Sequence, residues 1–423
     1  MKRMLACVAM LMLSCGFALS QAQYQVLYSF GPFGSNDAAY PNAGLASDSA
    51  GNLYGTSYLG GPITGGDNGC LYGCGTVFQL SPQQDGSWTN TILYTFCSTG
   101  NPTTCPDGAW PASGLIRGKN GKLYGTTLWG GPHGAGTVFE LAPPSAPDNS
   151  WTETVLWSFC STSSCPDGSS PFTKLTGDAK DNLYGTTEGG GAYGHGTVFA
   201  LTPVSGSSWK EIVLYDFKGA PDDGQEPLAG VTFDASGNLY GTTKYGGGTG
   251  CGSDNGCGTV FQLSPNSDGT WTESVIAHGA YKQVYFSSDL SFDSAGNLYG
   301  TSYGVANNSL GGVFKLIRTT GWKPATFAFE GANGAFPDAG VLLENGVLYG
   351  TTSSGGAQSE GTIYMMTGKI ETVLYSFCSQ PNCADGAYAG PGGVLLSDHS
   401  GRLYGTTVEG GANNNGVVFE IIP

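Results

Sequence analysis

The sequence predicts an all-β protein, a seven-bladed β-propeller of four-stranded antiparallel blades. Three observations predict it. The string Leu-Tyr-Gly-Thr recurs seven times, with its tyrosines at Tyr54, Tyr124, Tyr184, Tyr240, Tyr299, Tyr349 and Tyr404, a mean period of about 58 residues. Each copy sits in the same order of apolar and turn segments. The chain also carries a lone last-strand segment near its start and stops after a third-strand segment.

The first strand of each unit is a short apolar run that enters a tight turn, of the form Asp-x-x-Gly-Asn in Leu45 to Asn52, Val231 to Asn238 and Leu290 to Asn297. Asp, Gly and Asn supply the positive-φ positions and local hydrogen bonds of a tight hairpin. Leu-Tyr-Gly-Thr is the second strand. A glycine-rich loop leads to the third, Gly75 to Leu80, which is repeated from Gly136, Gly196 and Gly258 and varied near 312, 361 and 416. Its run of Val, Phe and Leu suits a strand buried on both faces. The fourth is led by a tryptophan, as in Trp151 to Phe159, with counterparts at Trp88, Trp209, Trp271 and Trp322.

Such units stack as a solenoid or close as a ring. The chain ends favour the ring. Tyr24 to Phe30 is a fourth strand without its blade, and Gly416 to Ile422 is a third strand without a successor, so the first completes the blade of the second. A solenoid would require capping repeats instead.

The first residues have the three-part plan of a secretory signal: Lys2 and Arg3, an apolar run from Met4 to Leu13, then small residues around Ala18, Ser20 and Ala22. Residues 1–22 are therefore expected to be a signal peptide and 23–423 a single propeller domain. Cys15 offers the weaker alternative of a lipid anchor. The export signal makes the locally paired cysteines an expected set of disulfides, Cys70–Cys74, Cys97–Cys105, Cys160–Cys165, Cys251–Cys257 and Cys378–Cys383. A zinc site is disfavoured because no histidine neighbours these pairs. The net charge of −16 disfavours nucleic acid and anionic membrane surfaces as partners.

The repeated Gly-Asn-Leu-Tyr-Gly-Thr-Thr unit, with its Gly-Gly loop and Gly-Thr-Val-Phe-x-Leu strand, resembles that of the GloVer tandem-repeat family of secreted bacterial proteins. The resemblance spans essentially the whole chain after the signal. It implies a secreted repeat protein with no assigned activity. The Asp-x-x-Gly-Asn turn is also similar to that of sugar-lactone hydrolases and streptogramin lyases, an architectural likeness that transfers no catalytic residue.

A residue present in every blade is most simply architecture, so function is sought where repeats diverge or loops crowd. The loops joining strand four to the next strand one, and strand two to strand three, emerge on one face. They hold the disulfides, Asp-Gly turns at Asp107, Asp167 and Asp385, and the aromatics Tyr58, Trp110, Trp129 and Tyr245. Stiffened loops with rings and carboxylates suit a carbohydrate or surface-protein partner, since rings stack on apolar faces and acids accept hydroxyl hydrogen bonds. The same residues also serve as turn formers and inter-blade plugs. The divergent loop from Ala277 to Gln283, which replaces the Asp-Gly turn, adds His278 and Lys282.

Glu153, Glu211, Glu273 and Glu371 share one place on strand four and read as a solvated edge. No phosphate loop is present, and His133, His195, His278 and His399 share no register. Glu188 and Glu409 occupy comparable loops and are a remote candidate for a glycosidase pair. No calcium loop of the Asp-x-Asp-x-Asp-Gly type occurs. No cofactor, metal or catalytic residue is assigned, and a monomer is expected. The reading is a non-catalytic recognition module. An extracellular enzyme acting on a glycan or lactone, and a structural surface protein, are the alternatives.

Overall fold

A computed structural model describes residues 22–62, 70–98, 105–145, 150–204, 208–248, 256–279, 285–286, 288–304 and 310–423. Its sheets form seven blades. In blade 2, strands 116–117, 123–127, 137–142 and 152–158 lie side by side from the inside out, and five other blades repeat that order. Blade 7 combines strands 396–397, 403–409 and 417–422 with Gln23–Ser29 from the other end of the chain. That closing pair is antiparallel and runs from Gln23 opposite Ile422 to Ser29 opposite Val417.

The repeated residues each perform a packing task. The glycine of Leu-Tyr-Gly-Thr receives the aromatic ring of strand three, and a Cβ at Gly125 or Gly185 would lie 2.7 Å from Cζ of Phe139 or Phe199. Any side chain there would displace a fully buried ring. The tyrosine hydroxyl donates back to the turn aspartate, from Tyr54 to Asp48 at 2.9 Å and from Tyr184 to Asp178 at 3.1 Å. The following threonine reaches across to the next blade. Thr56 donates to the carbonyl of Ser113 at 2.8 Å, Thr186 to Ala229 at 3.0 Å, and Thr406 to Ala43 at 3.1 Å, which joins blade 7 to blade 1. One short motif thus builds its own blade and also attaches it to the next.

The outer-strand glutamates are not on a solvated edge. Alternation places Trp151, Glu153 and Val155 on one face of the strand, and that face lies between blades. Glu153, Glu211, Glu273 and Glu371 are half-buried, each with Oε1 sealed from water and without a hydrogen-bond partner. Burial and the nearby Asp107 push Glu153 up to about 8, and burial with Asp167 and Asp216 raises Glu211 to about 8. Glu273 is raised to about 7 by burial and Asp223, against the opposing pull of Lys218.

Disulfides join Cys70 to Cys74, Cys97 to Cys105, Cys160 to Cys165 and Cys378 to Cys383. Cys257 is also disulfide-bonded, whereas Cys251 lies outside the described residues. The bonded cysteines fit an extracellular protein. Among the described residues no helix is long and apolar enough to cross a membrane.

Candidate functional site

The face that carries the disulfide loops opens into a funnel on the propeller axis. Its rim is built from two positions per blade. The first precedes strand one and is Tyr40, Trp110, Ser170, Glu226, Tyr285, Phe336 or Tyr388. The second follows strand two and is Tyr58, Leu128, Glu188, Lys244, Tyr303, Ser353 or Val408. Backbone hydrogen bonds tie the two within a blade, as from Tyr58 N–H to the Tyr40 carbonyl at 3.0 Å and from Lys244 to Glu226 at 3.1 Å.

Six of the first-position residues hold positive φ, between 53° and 59°. This left-handed conformation is unfavourable for bulky side chains. Five are followed by a proline whose ring sits over the glycine opening the previous blade's third strand. A Cβ at Gly136 would lie 2.5 Å from Cδ of Pro171, and one at Gly196 would lie 2.8 Å from Cδ of Pro227. The backbone is therefore fixed by the Pro–Gly contact while the side chain on the rim is free to vary.

That variation gives the rim two sectors. Tyr58 stacks on Trp110 at 5.9 Å, Trp129 stands edge-on to Trp110 at 6.1 Å, and Tyr303 stacks on Phe336 at 4.7 Å. Trp129, Tyr303 and Tyr388 are exposed. Between blades 3 and 4 the rim is charged instead. Glu188 is raised above the usual carboxylate range by burial and by Glu226, and Lys244 lies 3.8 Å from Glu226 and 4.8 Å above the Tyr245 ring.

Inside the rim is a cavity of about 570 Å³, within the range of small-molecule sites. Tyr245, Tyr285, Tyr303, Phe172, Lys174 and the acids Asp289 and Asp338 are among its walls. Asp338 accepts a hydrogen bond from Ser353 Oγ at 2.8 Å, and burial pushes its carboxyl up to about 6.

The structure brings four of the sequence-predicted residues to this face as side chains available for contact: Tyr58, Trp110 and Trp129 as one aromatic cluster on the rim, and Tyr245 in the cavity wall. The three aspartates are placed differently. Asp107 accepts from Tyr94 Oη at 3.0 Å and Cys97 N–H at 2.9 Å. Asp167, itself buried, accepts from Cys160 N–H at 3.1 Å. Asp385 is fully buried and accepts from Tyr375 Oη at 2.6 Å and from Ser379 and Gln380 N–H at 2.8 and 3.1 Å.

Glu188 and Glu409 do not face one another: the first has Glu226 and Lys244 beside it, the second Tyr40 and Tyr388. His278 ends strand four of blade 4, and Lys282 lies outside the described residues. The one group of three metal-capable side chains among the described residues is Cys70, Cys74 and Cys97, all of them disulfide-bonded.

Sequence reasoning passed over Lys174, Asp289 and Asp338. For the first two a signal was present. The residue before the buried Leu or Val of strand one is Gly44, Gly114, Gly230 or Gly340 in four copies but Lys174, Asp289 or Val394 in the others.

The fold and its funnel define the class, a closed seven-bladed propeller with a cavity on its loop face. The chain belongs to the Gloeobacter/Verrucomicrobia repeat family, whose pattern matches residues 16–144, 63–253 and 247–423. No curated protein matches it. Among solved structures, the extracellular domain of a protein described as a hybrid two-component system from B. thetaiotaomicron is similar at a TM-score of 0.51 and 11% identity, over 92% of this chain and 39% of that one. This chain thus spans well under half of that protein's length. A protein of unknown function from Dyadobacter fermentans gives 0.46 at 13% identity, over 96% and 100% of the two chains. A Thermus thermophilus protein described as an oxidoreductase (glucose dehydrogenase) gives 0.43 at 10% identity, over 95% and 99%. At these identities the likeness concerns the fold alone, and only the first of the three scores carries it.

Proposed function

We propose that this protein is a secreted, non-catalytic recognition module that binds a saccharide at the mouth of its axial funnel. One observation carries the reading: the blades keep the rim backbone constant and vary its side chains, and the variation assembles an aromatic arc around a cavity of about 570 Å³. Flat rings cover the apolar faces of a pyranose, and the carboxylates below them accept hydrogen bonds from its hydroxyls. Tyr58, Trp110, Trp129 and Tyr245 act as contacts in this reading. Asp107, Asp167 and Asp385 hold the loops that present them.

Titration of purified protein against hits from a glycan array tests the proposal. Tyr245→Ala and Trp129→Ala are expected to weaken binding at least tenfold each without changing the circular dichroism spectrum, since stacked rings are usual binding hot spots. Absence of saturable binding to every glycan, or binding untouched by both substitutions, would overturn it.

A further inference from the structure

The position before the buried Leu or Val of strand one forms the innermost ring of the propeller, and the ring is tight. A Cβ at Gly340 would lie 2.9 Å from the carbonyl oxygen of Asp289, and one at Gly114 would lie 3.2 Å from that of Gly44. Glycine suffices for the architecture, as four blades demonstrate. Lys174 and Asp289 are therefore additions to it, and both line the 570 Å³ cavity as well as a chamber of about 190 Å³ beneath. They mark the waist of the channel.

The two do not neutralise each other. Among the described residues no carboxylate lies within ion-pairing distance of Lys174, although Lys119, Lys122, Lys244 and Lys315 all have such partners. Asp289 instead turns Oδ1 to the backbone N–H of Gly230 at 2.8 Å. Lys180, Lys210, Lys218, Lys323 and Lys369 also lack an ion-pair partner among the described residues, so what sets Lys174 apart is its place: its exposed side chain lines the axial cavity. Its Cδ lies 3.6 Å from where a Gly114 Cβ would be, so its aliphatic stem runs along the channel wall.

Resting on the saccharide reading above, we infer that the funnel selects an acidic sugar, a single uronate residue whose carboxylate meets the Lys174 ammonium while its ring lies among Tyr245, Tyr285 and Tyr303. An ammonium-to-carboxylate hydrogen bond is charge-assisted and stronger than one between neutral groups. Asp289 and Asp338 in the same walls accept the sugar hydroxyls. They also repel a second carboxylate, which favours an isolated uronate over a polyuronate.

Calorimetric titration of the intact protein with an aldobiouronic acid and with its carboxyl-reduced, neutral counterpart tests this. The acidic disaccharide is expected to bind at least tenfold more tightly. Lys174→Gln should bind both sugars equally, and Lys174→Arg should keep the preference. Melting curves of both variants confirm that the ring is intact. Equal binding of the two sugars by the native protein, or a preference retained in Lys174→Gln, overturns the assignment of Lys174 and leaves saccharide binding standing. Binding of neither sugar, alongside a negative glycan array, overturns both.

Discussion

Two kinds of inter-blade seam differ by one functional group. At the seam leading into blade 1, Asn90 Nδ2 donates to Asp37 Oδ1 at 2.6 Å, and at blade 6 Asn333 Nδ2 donates to Glu371. In blades 2, 3 and 4 both places hold acids, with Glu153 beside Asp107, Glu211 beside Asp167 and Glu273 beside Asp223. An amide brings its own donor. Two carboxyls have none until one takes up a proton, and burial combined with like charge raises the glutamates toward neutrality for that reason. Burial acts in the amide seam of blade 6 as well, where Glu371 is raised to about 7 although the Asn333 donor opposes the shift.

The largest expected effect follows from pH. A glutamate at about 7 to 8 in the fold, against 4.5 as its ordinary value, binds more protons folded than unfolded between those limits. Stability from these seams is therefore fully present below about pH 4.5 and falls as pH rises through 7 to 8. After allowance for solvent screening, these three glutamates and Glu371, also raised to about 7, should together lose about 2–4 kcal/mol between pH 5 and pH 9, seen as a falling Tm by calorimetry. The turn aspartates Asp48, Asp178 and Asp234 act oppositely, since hydrogen bonds hold their carboxyls below 3.8 and their contribution disappears in stronger acid. A stability maximum on the acidic side of neutrality is expected. A Tm that rises from pH 5 to pH 9 would contradict the protonated seams.

Converting one kind of seam into the other gives the next effects. Asn90→Asp makes the first seam an acid pair and should cost about 2 kcal/mol at pH 8, with most of that recovered at pH 5. Glu153→Gln makes the reverse change. Its amide can donate to Asp107, so denaturation at pH 8 should show a gain of about 1 kcal/mol that fades by pH 5. If both variants shift stability equally at the two pH values, the effect is packing rather than protonation. The smallest effect is a control at an exposed contact between the turns of blades 2 and 3. Lys119→Ala removes an exposed pair with Asp181, 2.8 Å apart, and should change stability by less than about 0.5 kcal/mol.

Much of this molecule could be read from its repeats. Seven copies of Leu-Tyr-Gly-Thr and two complementary incomplete ends specify a closed ring, and the pairing of Gln23–Ser29 with Val417–Ile422 completes it. The aromatic loops were legible too, because Tyr58, Trp110 and Trp129 stand out against a glycine-rich background. The aspartates of the Asp-Gly turns were harder. Sequence shows a carboxylate in a loop but not that Tyr375 Oη and two backbone N–H groups already occupy the one at Asp385. The outer-strand glutamates were misjudged for a related reason. Alternation shows that Trp151 and Glu153 share a face, while only the neighbouring blade determines that the face is covered.

The sequence by itself determined the blade, its number of copies and the manner of closure, since each follows from local hydrogen bonds and periodic burial that repeat with the chain. The tertiary structure alone decided which residues meet at the axis. Strand one is two residues long in most blades, too short for its periodicity to reveal a direction. Lys174 and Asp289, 115 positions apart by their numbers, become neighbours of one cavity only because seven similar units are bent around a common centre.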